Sequence, residues 1–251
     1  MAFCGANLVA RVSGYHFELE DWMKQHFATI EATDAAEWQA ICEEVAAAGF
    51  KGIEVWEAHA SPETLDSKCK AAEWKKIVAG AGLEPVAYAG GLRPETLQIC
   101  EWLEIPHVDG GLRGQTPEEA TRLCADTGIR FNLENHPQKT TAEILEPIGG
   151  GNEWLGVCVD TGWLGTQGLS GPEVITELGE LVRHTHIKDV EAVGGHATCL
   201  LGEGVVDPEA CIRALRGIGY QGWYSWEDEP EDRNPFDSAV RNRRWIEERL
   251  V

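Results

Sequence analysis

Four residues along the chain have the types and the spacing to do chemistry together. Glu134 closes the run Arg130-Phe-Asn-Leu-Glu134, Asp160 closes Val157-Cys-Val-Asp160, His186 closes Val182-Arg-His-Thr-His186 and Glu227 closes Trp223-Tyr-Ser-Trp-Glu227. Each is a ligand-type side chain at the end of a short apolar segment. Glu134 to Asp160 and Asp160 to His186 are both 26 residues, and His186 to Glu227 is 41, with a glycine-rich loop between. A lone acid in such a place usually caps a helix or faces water. Four in register point to one site. Three bare carboxylates brought together would repel one another and take up protons. A divalent cation removes that penalty, so this set predicts a metal centre. An oxygen-rich site with a single imidazole suits Mn²⁺ first, with Co²⁺, Mg²⁺ or Zn²⁺ as alternatives, and differs from a closed structural zinc site. Four protein ligands leave two octahedral positions, enough for adjacent oxygens of a hydroxy-ketone.

Such residues must be carried by elements that meet at one place. Short apolar runs occur at 6–11, 51–57, 84–89, 105–109, 130–134, 155–160, 182–187 and 222–227, alternating with helix-like segments. The average step is roughly 30 residues, that of a βαβ unit. Eight such steps in 251 residues predict one (β/α)8 TIM barrel, an α/β fold, as a single domain over 1–251. The four residues then fall at the C-terminal ends of strands five to eight, where a barrel of this type builds its site. Helix starts are marked by Asp34 with Glu37, by Thr116-Pro117-Glu118-Glu119, and by Pro62, Pro94, Pro172 and Pro208, each of the last four followed by glutamate. Gly49 marks a helix stop. A last helix is expected from about Pro235, with Val240 and Trp245 on its inner side. One insert, Val12 to Thr33, breaks the rhythm. It holds Tyr15, His16, Phe17, Trp22, His26 and Phe27, and it reads equally as a lid over the site or as an extra helix on the rim.

Composition narrows the function classes. The formal net charge of −21 repels phosphate backbones, which argues against a nucleic-acid partner. No stretch approaches the roughly 18 apolar residues of a membrane span, and no N-terminal signal pattern is visible. The eight cysteines are scattered without a C-x-x-C pair, several inside apolar patterns, and read as packing residues of a cytoplasmic protein.

Several stretches resemble the xylose-isomerase-like TIM-barrel superfamily of sugar isomerases and epimerases: Gly49-Phe-Lys-Gly-Ile-Glu-Val-Trp, Leu133-Glu-Asn-His-Pro137, Asp160-Thr-Gly, His186-Ile-Lys-Asp189, Gly202-Glu-Gly204 and Gly219-Tyr-Gln-Gly-Trp223. The resemblance implies that Glu134, Asp160, His186 and Glu227 hold the metal, and that Glu134 and Glu227 also move protons beside a metal-polarised carbonyl, through a stabilised enediolate. Reprotonation gives an isomer or an epimer. Expulsion of a β-leaving group gives a lyase. Many sugar epimerases carry a histidine three residues after the metal aspartate, where this chain has Trp163, a residue that stacks but accepts no proton. His136, two residues beyond Glu134, is a further acid–base candidate. The leading reading is therefore a divalent-metal-dependent isomerase or epimerase of a sugar or keto-sugar; the superfamily also contains C-glycoside deglycosidase large subunits and inosose dehydratases, so the alternative is a lyase on a keto-sugar derivative, with or without a small partner subunit. An endonuclease and a non-catalytic binding barrel are weaker alternatives. Trp163, Lys188, Glu54 and His16 are candidate substrate contacts. Glu54 is expected to point into the barrel, and Lys188 to share a face with His184 and His186. Gly202-Glu-Gly204 reads as a close-approach loop or a turn, and Glu227-Asp-Glu-Pro-Glu-Asp-Arg-Asn as a solvated or partner-contacting rim loop. The expected ligand is an unphosphorylated sugar or glycoside, and a homo-oligomer is an open expectation.

Overall fold

The computed structural model describes residues 1–16, 21–230 and 232–251. Phe17 of the insert and Glu231 of the acidic rim segment lie outside the described residues. Eight parallel strands close into a barrel in sequential order. They are β1 (Ala2–Cys4), β2 (Gly52–Trp56), β3 (Glu84–Ala89), β4 (His107–Gly110), β5 (Arg130–Glu134), β6 (Leu155–Asp160), β7 (Val182–Ile187) and β8 (Ser225–Trp226). The ring closes where Ala2 pairs with Ser225 and Phe3 with Trp226. The helices are α1 (Trp22–Ala32), α2 (Ala35–Ala47), α3 (Lys68–Gly80), α4 (Pro94–Leu103), α5 (Pro117–Thr127), α6 (Thr141–Leu145), α7 (Thr161–Thr166), α8 (Gly171–Leu178), α9 (Pro208–Gly217) and α10 (Phe236–Leu250). Among the described residues no helix is long and apolar enough to cross a membrane.

Local chemistry explains most boundaries. Thr116 and Glu119 form a reciprocal capping box, with Pro117 at the first turn and Gly128 in the left-handed conformation at the far end. Pro94, Pro172 and Pro208 open α4, α8 and α9. Asp34 caps α2 by accepting from Ala36 N and Glu37 N, but Glu37 does not return the bond. Its carboxylate pairs with Arg11 instead.

Four expectations are corrected. The first strand is 2–4, not 6–11: at Gly5, where a Cβ would stand 3.0 Å from Trp56 Cβ and Glu54 O, the chain leaves the sheet and curls into a 3-10 turn over Gly5–Leu8. The residues at 6–10 are all buried, so an apolar run alone did not distinguish a strand from a buried turn. The eighth strand is only two residues long. Pro62 sits in a turn, and α3 begins at Lys68 under a Ser67 cap. On α10 the buried positions are Ser238, Ala239, Asn242 and Ile246, whereas Val240 faces solvent. The free cysteines are mostly buried, as packing residues would be.

The barrel interior is unusual for such a fold. Branched apolar side chains ordinarily fill it. Here its middle carries Glu54, Asp109, Asn132, His184 and Ser225, all buried. Asn132 Nδ2 donates to Asp109 Oδ1 at 2.8 Å, and the other oxygen of Asp109 lies 2.9 Å from His107 Nδ1. The Glu54 carboxylate bridges two imidazoles, His184 Nε2 and His186 Nε2, each at 2.9 Å. This polar layer lies directly beneath the mouth.

Candidate metal centre

Glu134, Asp160, His186 and Glu227 each offer a ligand atom, and these atoms all lie within 4.8 Å of one another. His186 Nδ1 stands 2.8 Å from Glu134 Oε1 and 3.4 Å from Glu227 Oε2. A register shift between Val157 and Cys158 brings Asp160 level with His186. The two strand ends are then locked by side chains. Asn135 Nδ2 donates to Asp160 O at 3.0 Å while Asp160 N donates to Asn135 Oδ1 at 2.9 Å, a side-chain copy of a strand ladder. Thr161 Oγ1 donates to Lys188 O at 2.7 Å and accepts from Lys188 N at 2.9 Å. Past β8, Asn7 Oδ1 accepts from Asp228 N at 2.6 Å and Glu229 N at 3.2 Å, which fixes the backbone carrying Glu227.

The donor set fits a divalent cation. Asp160 Oδ1 is used, accepting from Trp163 N at 3.1 Å. Its Oδ2 is buried and has no hydrogen-bond partner, an expensive arrangement for a carboxylate. Burial pushes the Asp160 carboxyl well above the usual range, and the charges of Glu227 and Glu134 add to this against the opposing Lys188. Lys188 meets the cluster from the side, 3.2 Å from Glu227 Oε2, 2.5 Å from Glu229 Oε2 and 3.7 Å from Asp160 Oδ2. Burial opposes its charge, but those three carboxylates hold the ammonium protonated. Burial likewise opposes ionisation of Glu227, and His186 with Lys188 outweighs it.

Two connected chambers open above the cluster. One, of about 480 Å³, is lined by Trp22, Trp56, Arg113, Glu134, His186 and Glu227 among others. The second, of about 250 Å³, is lined by Trp163, His196, Thr198 and Val190, and shares Trp22, His136 and Glu229 with the first. The insert provides α1, whose Trp22 packs edge-on to Trp56 at 5.5 Å. It is a rim helix that also walls both chambers. Trp163 lies between two imidazoles, His136 at 4.8 Å and His196 at 4.9 Å between ring centroids. His136 Nε2 is 3.7 Å from Glu134 Oε2.

The remaining candidates fall as follows. Glu54 points into the barrel and touches His186 from below, out of reach of the chambers. Lys188 lies at the mouth. His16 is exposed and lines neither chamber. Among the described residues Asp189 pairs with no lysine: its oxygens accept from Val190 N, Val206 N, Gly202 N and Gly204 N at 2.9–3.1 Å, so the glycine loop is a clamp around one buried carboxylate. Three contributors had no clear sequence signal. Asn7 and Asn135 act through amides that resemble any loop asparagine. Glu229 has a left-handed backbone, φ 48°, and burial raises its carboxyl to about 7.

A parallel barrel with a cation-type carboxylate and imidazole cluster at its C-terminal mouth defines the class. The chain belongs to the xylose isomerase-like TIM barrel family, whose model matches residues 42–249. Among curated relatives, the inosose dehydratase of Geobacillus thermodenitrificans is 31% identical over 148 residues, covering 50% of each chain. That of Klebsiella pneumoniae is 28% identical over 152 residues, covering 51% of this chain and 50% of the relative. The chain thus spans about half the length of the curated relatives it matches. Among solved structures, the probable 3-DHS dehydratase AsbF of Bacillus anthracis aligns over 98% of both chains with a TM-score of 0.69 at 15% identity. A D-allulose 3-epimerase from Methylomonas sp., in complex with D-allulose, covers 86% of this chain and 92% of its own, with a TM-score of 0.65 at 17% identity. Both structural likenesses speak for the fold.

Proposed function

We propose that this protein is a divalent-metal-dependent enzyme that removes the proton beside the carbonyl of a keto-polyol and completes the reaction by expelling water. The observation that carries this reading is the meeting of ligand atoms of Glu134, Asp160, His186 and Glu227 within 4.8 Å of one another, with the buried Asp160 Oδ2 lacking a hydrogen bond. The ion, Mn²⁺ by preference for this oxygen-rich set, supplies positive charge where negative charge develops on substrate oxygen. Glu134 and Glu227 border the larger chamber and serve as bases. One takes the proton from carbon, and the C–H electron pair forms a carbon–carbon double bond as the carbonyl becomes an enediolate. Collapse of the enediolate then breaks the bond to the β-hydroxyl. His136, outside the cluster but within reach of Glu134, gives the departing oxygen its proton, leaving an unsaturated ketone and water. The curated relatives named inosose dehydratases support this outcome.

A second reading, epimerisation, is supported by the carboxylate pair Glu134 and Glu227, which suffices to remove a proton and return one. Incubation of the Mn²⁺-loaded protein with scyllo-inosose and with D-fructose in D2O separates the two. Growth of an ultraviolet-absorbing unsaturated ketone, lost in His136→Asn and in Glu134→Gln, is the expected result. Carbon-bound deuterium with a new epimer and no unsaturated product would establish the epimerase instead. Absence of exchange on both would overturn the proposal.

A further inference from the structure

We infer that His107, Asp109 and His184 form a second divalent-cation site, in the polar layer beneath the mouth, suited to Zn²⁺. It is separate from the centre at the mouth and does not depend on the reaction proposed there. Each of the three residues offers a ligand atom, and these atoms all lie within 4.8 Å of one another. His107 and Asp109 are two apart on β4 and so share a face. His184 meets them from β7. Asp109 Oδ2 stands 2.9 Å from His107 Nδ1 and 3.9 Å from His184 Nε2, and the two imidazole centroids are 5.0 Å apart. His107 opens its strand and its side chain is 15% exposed, which gives the layer a route to solvent at the N-terminal end of the barrel.

Charge, outer partners and unused atoms all point to a cation here. A buried carboxylate is costly unless positive charge meets it. Asp109 is 1% exposed, and among the described residues neither it nor Glu54 pairs with a lysine or an arginine. Histidines that bind a metal usually donate their other N–H to a carboxylate. Glu54 supplies that partner to both rings: Oε2 accepts from His184 Nε2 and Oε1 from His186 Nε2, each at 2.9 Å. This leaves Nδ1 as the free nitrogen of each imidazole. In His186 it faces the carboxylates of the mouth. In His184 it is buried and has no hydrogen-bond partner, and the same is true of Asn132 Oδ1. Asn132 Nδ2 occupies Asp109 Oδ1 at 2.8 Å and so acts as the outer partner that leaves Oδ2 for an ion. Two imidazoles and one carboxylate, with a fourth position for water, suit Zn²⁺, whereas three carboxylates and one imidazole at the mouth suit Mn²⁺.

The test counts the Zn²⁺ retained after gel filtration by the wild type, by Asp160→Asn, by His107→Gln and by the double variant. Asp160→Asn disables the mouth, so the ion it keeps reports the lower site. Two ions are expected in the wild type, one in each single variant and none in the double variant. X-ray absorption of Zn²⁺ in Asp160→Asn should show two imidazole ligands, whereas one imidazole is the signature of the mouth. Asn132→Ala, placed in the Asp160→Asn background, should weaken Zn²⁺ binding by about 10–100-fold. His107→Gln should melt with the metal-free wild type, and if it does not fold, the absorption spectrum of Asp160→Asn still decides. No ion in Asp160→Asn, the same ion kept by the double variant, or ligation by fewer than two imidazoles overturns the inference. A wild type holding one ion through two imidazoles counts instead against the centre at the mouth and leaves this site standing.

Discussion

Replacing Glu54 by glutamine should weaken metal binding while leaving all four ligands in place. Glu54 and its two imidazole partners are all 0–1% exposed, and each carboxylate oxygen lies 2.9 Å from one Nε2. A carboxylate only accepts, so Nε2 must carry hydrogen on both His184 and His186. His186 is thereby obliged to turn Nδ1, the nitrogen 2.8 Å from Glu134, towards the cluster. Glutamine offers one oxygen and one NH2, so one imidazole loses its acceptor and the charge is gone. A buried hydrogen bond to a charged group is worth about 1.5–3 kcal/mol. Loss of an outer partner of a metal-binding histidine typically costs 10–100-fold in affinity, or about 1.4–2.8 kcal/mol. The two figures agree. Titration of Glu54→Gln with Mn²⁺, followed by calorimetry or by the electron paramagnetic resonance of free Mn²⁺, should show a dissociation constant raised by that factor. Glu54→Ala should in addition lose about 3–5 kcal/mol of stability, because it strands two buried imidazoles. Wild-type affinity in Glu54→Gln, within two-fold, would refute the reasoning.

Three further outcomes are expected. Asp160→Asn should abolish the Mn²⁺-dependent rise in melting temperature, which in the wild type corresponds to about 2.7 kcal/mol at 100 times the dissociation constant. It should not lower the melting point of the metal-free protein, since asparagine keeps the cap on Trp163 N and removes one of three crowded charges. His59, buried against Trp38 and Trp56, has its imidazole lowered to about 3 by burial first and then by Arg11 and His26. The unfolded chain binds this proton near pH 6.5 and the folded chain does not, so stability falls as pH drops below 6.5. Between pH 6.5 and 5 this residue should account for about 1.6 kcal/mol. Urea melts of His59→Phe at the two pH values should lack that share of the loss, and an unchanged pH dependence would contradict the assignment. Asp189→Ala removes the acceptor of four backbone N–H groups and should cost about 3 kcal/mol. Its protection against amide exchange should fall at Gly202 and Gly204 first, and uniform loss across the barrel would argue against a local clamp.

Much of the architecture was legible because it depends on short-range chemistry. A strand such as Leu155–Asp160 is a six-residue apolar run with a polar end, and the Thr116–Glu119 box caps its helix wherever the helix packs. The evenly spaced ligand types closing β5 to β7, with Glu227 just past β8, showed in one dimension because parallel βαβ repeats place successive strand ends side by side. What failed locally was also short-range. The apolar residues at 6–10 satisfied a strand pattern equally well as a buried turn, and only closure of the barrel against β8 selected Ala2–Cys4.

The sequence by itself determined the barrel, the family and the four residues at its mouth, because periodicity and spacing carry that information along the chain. Only the tertiary structure decided their partners. Glu54 and His186 are 132 positions apart, and Asn7 reaches Asp228 across 221. Which nitrogen of His186 faces the carboxylates and which acids share Lys188 both depend on strands that meet only when the sheet closes. No local pattern encodes such distances. They arise from packing eight strand ends around one axis, which buries Asp160 Oδ2 in the ligand cluster without a hydrogen bond.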